Sequence, residues 1–343
     1  TLLTYNKADN CCFESVYALQ PLLDAARPIF GLYGKDKSLQ SHVNEDPGTH
    51  NYEVDNRQAF YRMLGQFFYP GDKGFNTLEI PSEDEIKTAE ELSIELPDPN
   101  HDFNTLAKGL AESLPRDGGL PDEKRAALDW QRKRRAGLGK IVHFNNYGVS
   151  KVELQSEEKD GLDTTFWKLG IDGTWTLPAI ELAGKEATGT VLLIADGGRK
   201  SMAGEVGKLL DKGRRVVAVD LSDQGEMVLQ RNMLFPLMVA AVGERPLGVQ
   251  SGQLAAVSRW LGADRGLGPI TVTAVGPRAT TIALVAAAMD EKAIARVQLH
   301  DALGSLKEVI ERNLGANNGA ELFCFGLLES FDSKQIAALA APR

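Results

Sequence analysis

Two side chains near the start of the chain have the types and spacing of a general-base pair, Asp9 and His50. Asp9 follows residues 2–5, a short apolar stretch that predicts a β-strand, and His50 lies in the loop after a second predicted strand, residues 28–33. A histidine can take a proton from a nucleophilic hydroxyl, and a carboxylate beside it fixes the imidazole tautomer and stabilises its charged form. The alternative is that His50 is only a polar residue of a loop.

The elements predicted around this pair fit such a role. Residues 13–26 and 55–68 have helical spacing, and the apolar face of the second helix includes Phe60, Met63 and Phe67. The order strand, helix, strand, loop, helix is typical of the closing part of an α/β sheet. We therefore expect Asp9 and His50 to follow neighbouring strands of one sheet.

No nucleophile accompanies the pair. In one common chain order of such sites the serine precedes the acid and the acid precedes the histidine, whereas Ser15 and Ser41 follow Asp9 and lie on no strand-to-helix turn. The chain begins as if inside a strand at Thr1 and stops directly after a predicted helix at Arg343. We expect a piece of a longer protein, with the nucleophilic serine upstream and any activity absent from this chain alone.

Residues 2–13 (LLTYNKADNCCF), 46–52 (DPGTHNY) and 55–57 (DNR) resemble the C-terminal part of the acetyl xylan esterase-like branch of the α/β-hydrolases. The resemblance covers residues 1–69. It implies that His50 is the general base and Asp9 the acid of a serine carboxylic ester hydrolase. The implied substrate is an acetylated carbohydrate or a similar small ester, and a secreted or periplasmic parent protein is expected on the same ground.

The identity of the acid depends on strand position, so two other carboxylates are kept in reserve. Asp46 and Asp55 flank the histidine motif in sequence.

The remainder of the chain divides by composition. Residues 70–145 are rich in charged residues and proline and predict a helical linker, with helices at 83–92 and 122–138. Residues 146–343 predict a second domain. Its expected strands begin with an antiparallel group, 152–154, 166–171 and 175–182, and continue with 190–195, 215–221, 270–275 and 295–299. Helices are expected between most of the later strands, among them 228–242 and 252–261, with a last helix at 332–340 and an irregular or short strand at 322–327. The fold class is therefore α/β, with a mostly parallel, doubly wound sheet of α/β-hydrolase type that is incomplete or circularly permuted.

A strand-turn-helix in the second domain falls where the nucleophile elbow of an α/β-hydrolase would fall. Position for position, Gly276 keeps the first glycine of Gly-x-Ser-x-Gly, Arg278 replaces the serine, and Thr280 replaces the second glycine. A guanidinium remains protonated near neutral pH and cannot attack an ester. Residues 196–198 (DGG) occupy the place of an oxyanion loop. We interpret this domain as a degenerate hydrolase that is catalytically silent.

Rival interpretations stay open for the second domain. Thr280, Thr281 and Ser201 carry hydroxyls, but Ser201 is more typical of a helix cap and no base accompanies the threonines. The alternative is a non-catalytic binding or structural module. The position of Arg278 distinguishes a binding module from a structural one. At the mouth of a pocket it would hold an anionic ligand, whereas buried against an acidic partner it would be structural.

A permuted arrangement is a further possibility. Residues 1–69 would then complete the sheet of the second domain, with strand 2–5 pairing near 295–299 or 322–327 and His50 close to Arg278.

Composition excludes several function classes. The chain has 343 residues and a net charge of −9, which argues against nucleic acid or an anionic membrane surface as a partner. No apolar run approaches the length of a membrane span. The three cysteines form no CxxC pair and are best interpreted as buried thiols, and no glycine-rich phosphate motif is present, so we expect neither a metal nor a cofactor. The sequence gives no indication of the oligomeric state.

Overall fold

The chain folds as two compact units, Thr1–Pro97 and Asp98–Arg343. The computed structural model describes residues 1–9, 13–159, 161–228 and 234–341. The division between the units falls inside the stretch 70–145 that the sequence predicts as a linker.

Unit 1 is a small β-α-β-α structure. Strand β1 (Leu2–Asn6) leads through helix α1 (Ser15–Leu32) to strand β2 (Gln40–Asn44), and helix α2 (Val54–Phe68) follows. The two strands pair in parallel, with Leu2 opposite Gln40 and Asn6 opposite Asn44. Parallel neighbours need a crossover connection, which α1 provides. After α2, the stretch 83–92 that was expected as one helix divides into a 3₁₀ turn, Glu83–Glu85, and a short helix, α3 (Ala89–Leu92).

The predicted strand at residues 28–33 is wrong, because α1 continues to Leu32 with Pro21 and Pro28 inside it. A short apolar run cannot be assigned to strand or helix by periodicity alone. The strand that precedes His50 is β2, whose sequence QSHVN contains a single apolar residue. The correction keeps the expected order, because Asp9 still follows one strand and His50 the next.

The interior of unit 1 is unusually polar. Among its described residues only Leu23 and Ala59 are buried apolar side chains. Four polar side chains are buried beside them: Asn6, Asp9, Asn44 and Asn56.

Unit 2 is built on a seven-stranded sheet. The strands are β3 (Val149–Lys159), β4 (Leu162–Ile171), β5 (Trp175–Ala183), β6 (Thr190–Ala195), β7 (Arg215–Val219), β8 (Ile270–Val275) and β9 (Arg296–His300), in the spatial order β3-β4-β5-β7-β6-β8-β9. β3, β4 and β5 form an antiparallel meander that also pairs antiparallel with β7. β7, β6, β8 and β9 are parallel to one another.

The α/β class is therefore confirmed, and the antiparallel start predicted for this domain is present. The expectation of a mostly parallel sheet holds for the second half of the sheet and not for the meander.

Helices flank this sheet. They are α4 (Phe103–Ala111), α5 (Lys124–Val142), α6 (Ala203–Asp211), α7 (Leu234–Ala241), α8 (Pro246–Arg259), α9 (Pro277–Met289), α10 (Lys307–Glu311), α11 (Leu327–Ser330) and α12 (Ser333–Ala340). Residues 322–327 form no strand, since Ala320–Phe323 is a 3₁₀ turn. The start of the helix predicted from residue 228 lies partly outside the described residues. Within the described ranges no helix is both long and apolar enough to span a membrane.

β1 pairs with β2 in a two-stranded sheet, and within the described residues the edge strand β9 pairs with β8.

Close packing of α8 on the end of α5 depends on glycine. A Cβ added to Gly248 would lie 1.9 Å from the carbonyl oxygen of Val142 and 2.5 Å from that of His143. These are backbone atoms and cannot rotate away. By contrast, the space around Gly207 in α6 is open.

We expect Gly248→Ala to destabilise unit 2 by about 1–3 kcal/mol, as overpacking of a close-packed interior does. Gly207→Ala is the matched control and should be neutral or stabilising by up to about 1 kcal/mol. Denaturant unfolding followed by tryptophan fluorescence measures both, because all four tryptophans lie in unit 2. Equal stability of the two variants would contradict the packing argument.

Candidate active site

Asp9 and His50 meet in unit 1. The Nδ1 atom of His50 lies 2.8 Å from Oδ2 of Asp9. The Asp9 side chain is 8% exposed, whereas that of His50 is 56% exposed. Since a carboxylate oxygen accepts, the bond assigns the proton of the neutral imidazole to Nδ1 and leaves the lone pair on Nε2. A buried carboxylate thus orients an accessible imidazole.

The parallel strands create this meeting. The carboxyl ends of β1 and β2 lie side by side, and two backbone bonds extend the contact into the loops. The N–H of Lys7 donates to the carbonyl of Asn44 over 3.0 Å, and that of Ala8 to the carbonyl of Gly48 over 2.8 Å. The loops that carry Asp9 and His50 are therefore held together before either side chain is considered.

The reserve carboxylates are engaged differently. Asp55, in the first turn of α2, lies with its Oδ2 2.7 Å from Nε2 of His42 and accepts from Nδ2 of Asn44 at 3.2 Å. Asp46 is exposed, and its carbonyl faces the Asn44 amide. Of the three candidates, geometry supports Asp9 as the partner of His50.

A pocket of about 230 Å³ opens beside the imidazole. Its walls are hydroxyl, amide and aromatic side chains together with the dyad, and its described lining contains no serine or cysteine. The lining residues are Thr4, Tyr5, Asn6, Asp9, Phe13, His50, Asn51, Tyr52 and Asn56.

Unit 2 has the predicted strand-turn-helix, between β8 and α9. Gly276 has a φ of 96°, and a Cβ there would lie 2.4 Å from the carboxyl carbon of Asp196. Only glycine fits this position.

Arg278 is 16% exposed and points to acidic partners. Its Nε donates to Oε1 of Glu321, and its Nη2 donates to the carbonyl of Asp223 at 3.1 Å and to Oδ2 of Asp223 at 3.4 Å. Glu321 is 1% exposed. The guanidinium is therefore bound within the protein, which is the arrangement expected of a structural residue.

The amide that would stabilise an oxyanion in unit 2 is occupied. In an α/β-hydrolase elbow one oxyanion donor is the N–H of the residue after the nucleophile, which here is Ala279. That N–H donates to Oδ1 of Asp196 at 2.7 Å, and the N–H of Arg278 donates to Oδ2 of Asp196 at 3.2 Å. The protein's own carboxylate thus fills the N-terminus of α9.

The hydroxyls of unit 2 that sequence reasoning considered are also engaged. Thr280 donates to the carbonyl of Gly276, Thr281 to that of Pro277 and Ser201 to that of Gly198, each at 2.7 Å. Ser201 was predicted to cap a helix, but it lies within a 3₁₀ turn, Arg199–Met202, and the N-cap residue of α6 is Met202.

Burial around Arg278 shifts two carboxyl groups. Burial, the largest cause, and the nearby Glu321 raise the pKa of Asp223 to about 6, although Arg278 opposes the shift. Burial likewise raises the pKa of Asp196 against the amides of Ala279 and Arg278. Among the described residues no three His, Cys, Asp or Glu side chains are grouped so that they could hold a metal ion.

Sequence reasoning missed two sets of residues. One is the buried asparagines around the dyad, and the other is Glu321, the main partner of Arg278. No motif marks Glu321, which lies 43 positions after Arg278.

Comparison with known proteins gives fold-level relatives. No protein-family model and no curated protein sequence matches the chain. A crystal structure of a putative acetyl xylan esterase from Bacteroides fragilis NCTC 9343 is similar, with a TM-score of 0.58 and 16% identity over 73% of this chain and 76% of that chain. Acetyl Xylan Esterase 1 from Thermoanaerobacterium sp. JW/SL YS485 matches with a TM-score of 0.38 and 15% identity over 68% and 76%. The first likeness, at 16% identity, shows that the chain shares the fold of that protein.

The raised pKa of Asp223 predicts a pH dependence of stability. Because the folded protein holds this proton up to about pH 6 and an unfolded aspartate releases it near about pH 4, the free energy of unfolding should fall as pH rises through that window. Asp223→Asn should remove this part of the slope and stabilise unit 2 at pH 7, on the order of 2 kcal/mol.

Tryptophan-detected denaturation at several pH values measures the effect. Asp264→Asn, at an exposed position of the same unit, is the control and should keep the wild-type slope. An unchanged slope in Asp223→Asn would show that this carboxyl group titrates as it does in water.

Proposed function

We propose that the protein is a serine carboxylic ester hydrolase in which His50 is the general base and Asp9 orients it. The observation that carries the proposal is the 2.8 Å bond between Nδ1 of His50 and Oδ2 of Asp9, with the imidazole exposed beside a pocket. The residues before Asp9 contain no serine. The proposed nucleophile is therefore a serine on a segment that precedes this sequence, in the chain order serine, acid, histidine.

The proposed chemistry uses the lone pair on Nε2. The serine oxygen attacks the ester carbonyl carbon while its proton passes to Nε2, and Asp9 stabilises the resulting imidazolium. When the tetrahedral intermediate collapses, the ester C–O bond breaks and Nε2 returns the proton to the leaving alkoxide. Water then repeats the sequence on the acyl-enzyme, which releases the carboxylic acid and the free serine.

The proposed substrate is an acetylated carbohydrate or a similar small ester. Two observations support it: the resemblance of residues 1–69 to the acetyl xylan esterase-like branch, and the shared fold with the putative acetyl xylan esterase from Bacteroides fragilis. The pocket beside His50 has aromatic and amide walls, a composition compatible with a hydroxyl-rich ligand.

For unit 2 we propose a hydrolase-like domain without catalysis, in a tandem protein. On this proposal residues 1–69 are the C-terminal part of the first domain, residues 70–145 are the linker, and residues 146–343 form the second domain. Arg278 at the position of the nucleophile, the occupied N–H of Ala279 and the engaged hydroxyl of Thr280 support it. The burial of Arg278 against Glu321 favours a structural role over the capture of an anionic ligand.

Hydrolysis of p-nitrophenyl acetate tests the proposal. A longer form of the protein that includes the preceding segment should be active, and His50→Ala should lower its kcat/KM by at least about 10²–10⁴-fold, since it loses its general base. Substitution of an exposed histidine, His101→Ala, is the control and should leave the rate unchanged. The present chain should show no turnover that depends on His50.

Two results would oppose the proposal. Equal activity of the His50→Ala and His101→Ala proteins would remove His50 from the mechanism. Turnover by the present chain that is lost in Thr280→Ala or Ser201→Ala would place the nucleophile in unit 2.

A further inference from the structure

The loop that carries His50 is fixed at Gly48, two residues before the histidine, by the side-chain amide of Asn44. The N–H of Gly48 donates to Oδ1 of Asn44 over 2.8 Å, and Nδ2 of the same side chain donates to the carbonyl of Asp46 over 3.4 Å. Asn44 is the last residue of β2 and is 0% exposed. The turn before His50 is therefore bonded to the end of a strand through both ends of one amide.

The same loop is fixed again one residue after the histidine. The carbonyl of Asn51 accepts from Nδ2 of Asn6 and from Nδ2 of Asn56, each at 3.2 Å. Nδ2 of Asn56 also donates to Oδ1 of Asn6 at 2.9 Å. Asn6 ends β1 and Asn56 lies in the first turn of α2, so a strand and a helix converge on one peptide group.

These bonds bracket His50 on both sides. With the backbone fixed at Gly48 and at Asn51, the direction of the His50 Cα–Cβ bond is largely set. The remaining freedom is rotation about the two side-chain torsions, and the bond to Asp9 restricts that rotation.

The amides are retained at a cost. A buried amide is unfavourable unless it is hydrogen-bonded, and these three occupy an interior whose described apolar members are only Leu23 and Ala59. Moreover, Oδ1 of Asn56 is buried without a hydrogen-bond partner among the described residues, and such a group typically costs about 1–3 kcal/mol. A leucine would avoid that cost but would offer no donor to Asn51.

We infer that Asn6, Asn44 and Asn56 are positioning residues that hold the His50 loop so that the imidazole meets Asp9. Their catalytic meaning rests on the proposed function, whereas the bond that they hold can be measured without any substrate. Asn56 is the most informative member, because it is the one that joins helix α2 to the loop.

Nitrogen-15 NMR of the histidine rings tests this inference on the present chain. Wild-type His50 should show the Nδ1–H form, assigned as the signal that is lost in His50→Asn. His143 is an internal reference in unit 2, since its Nδ1 lies 2.6 Å from the carbonyl of Gly243 and must donate to it. Asn56→Leu, of similar size but without donors, should lose the His50 Nδ1–H signal and keep that of His143.

A control separates positioning from stability. Ala59→Gly lies on the same helix at a buried site, should cost about 1 kcal/mol of helix stability, and should keep the His50 Nδ1–H signal. If Asn56→Leu does not fold, Asn6→Ala removes one of the two donors to Asn51 and should show a partial loss of the same signal.

The outcomes are distinct. Retention of the Nδ1–H signal in folded Asn56→Leu and Asn6→Ala would overturn the inference, because the amides would then serve stability alone. Absence of the signal from the wild-type protein would overturn it as well, since no imidazole would be held. Neither result depends on ester hydrolysis, so failure of the proposed function leaves this test intact.

Discussion

The parallel pairing of β1 with β2 is the constraint on which the candidate site depends. Parallel strands end at the same edge of a sheet, so the residues that follow Asn6 and Asn44 emerge together. Two backbone bonds between the loops continue the pairing as far as Ala8 and Gly48. Asp9 and His50 need only the next one or two residues to meet. A slip of the register would separate them.

The described residues of unit 1 supply little apolar core to secure that pairing. A two-stranded sheet is marginal in water unless other elements pack on it, and the buried asparagines among these residues equal in number the buried aspartate and apolar residues together. Directional hydrogen bonds therefore contribute more than usual to fixing one fold for unit 1. Networks of this kind favour one arrangement when they are satisfied and are costly when a member is removed. The geometry of the dyad and the fold of the unit consequently depend on the same few bonds.

In unit 2, too, residues that follow parallel strands meet at one edge of the sheet, but there they bond to one another. Asp196 follows β6, Asp223 lies a few residues after β7, and Arg278 follows β8, so charged groups again collect where parallel strands end. Here the guanidinium and the carboxylates satisfy one another, and the amide of Ala279 is covered by Asp196. The strand-turn-helix therefore forms with the guanidinium of Arg278 and the amide of Ala279 both bonded within the protein.

Much of this was accessible from sequence, and the failures have physical causes. The strands of unit 2 were predictable because continuous or alternating apolar runs mark them. Asp9 and His50 were selected by their residue types, their positions after predicted strands and the family resemblance of residues 1–69. β2 was missed since QSHVN is nearly all polar, and residues 28–33 were misassigned because an apolar run of six fits the end of a helix equally well. The buried amides had no signature: an asparagine in a loop and one at a strand end look alike until the fold brings them together.

The most direct test of the central claim is the rate at which diethyl pyrocarbonate modifies each histidine, followed by peptide mass spectrometry above neutral pH. The claim is that Asp9 accepts the Nδ1 proton of His50 and so keeps the lone pair on the exposed Nε2, where it can react. We expect His50 to react faster than the exposed His101, and Asp9→Asn to bring the two rates together. If His50 reacts no faster than His101, or if Asp9→Asn leaves the rate at His50 unchanged, the carboxylate does not activate the imidazole and the proposed active site is wrong.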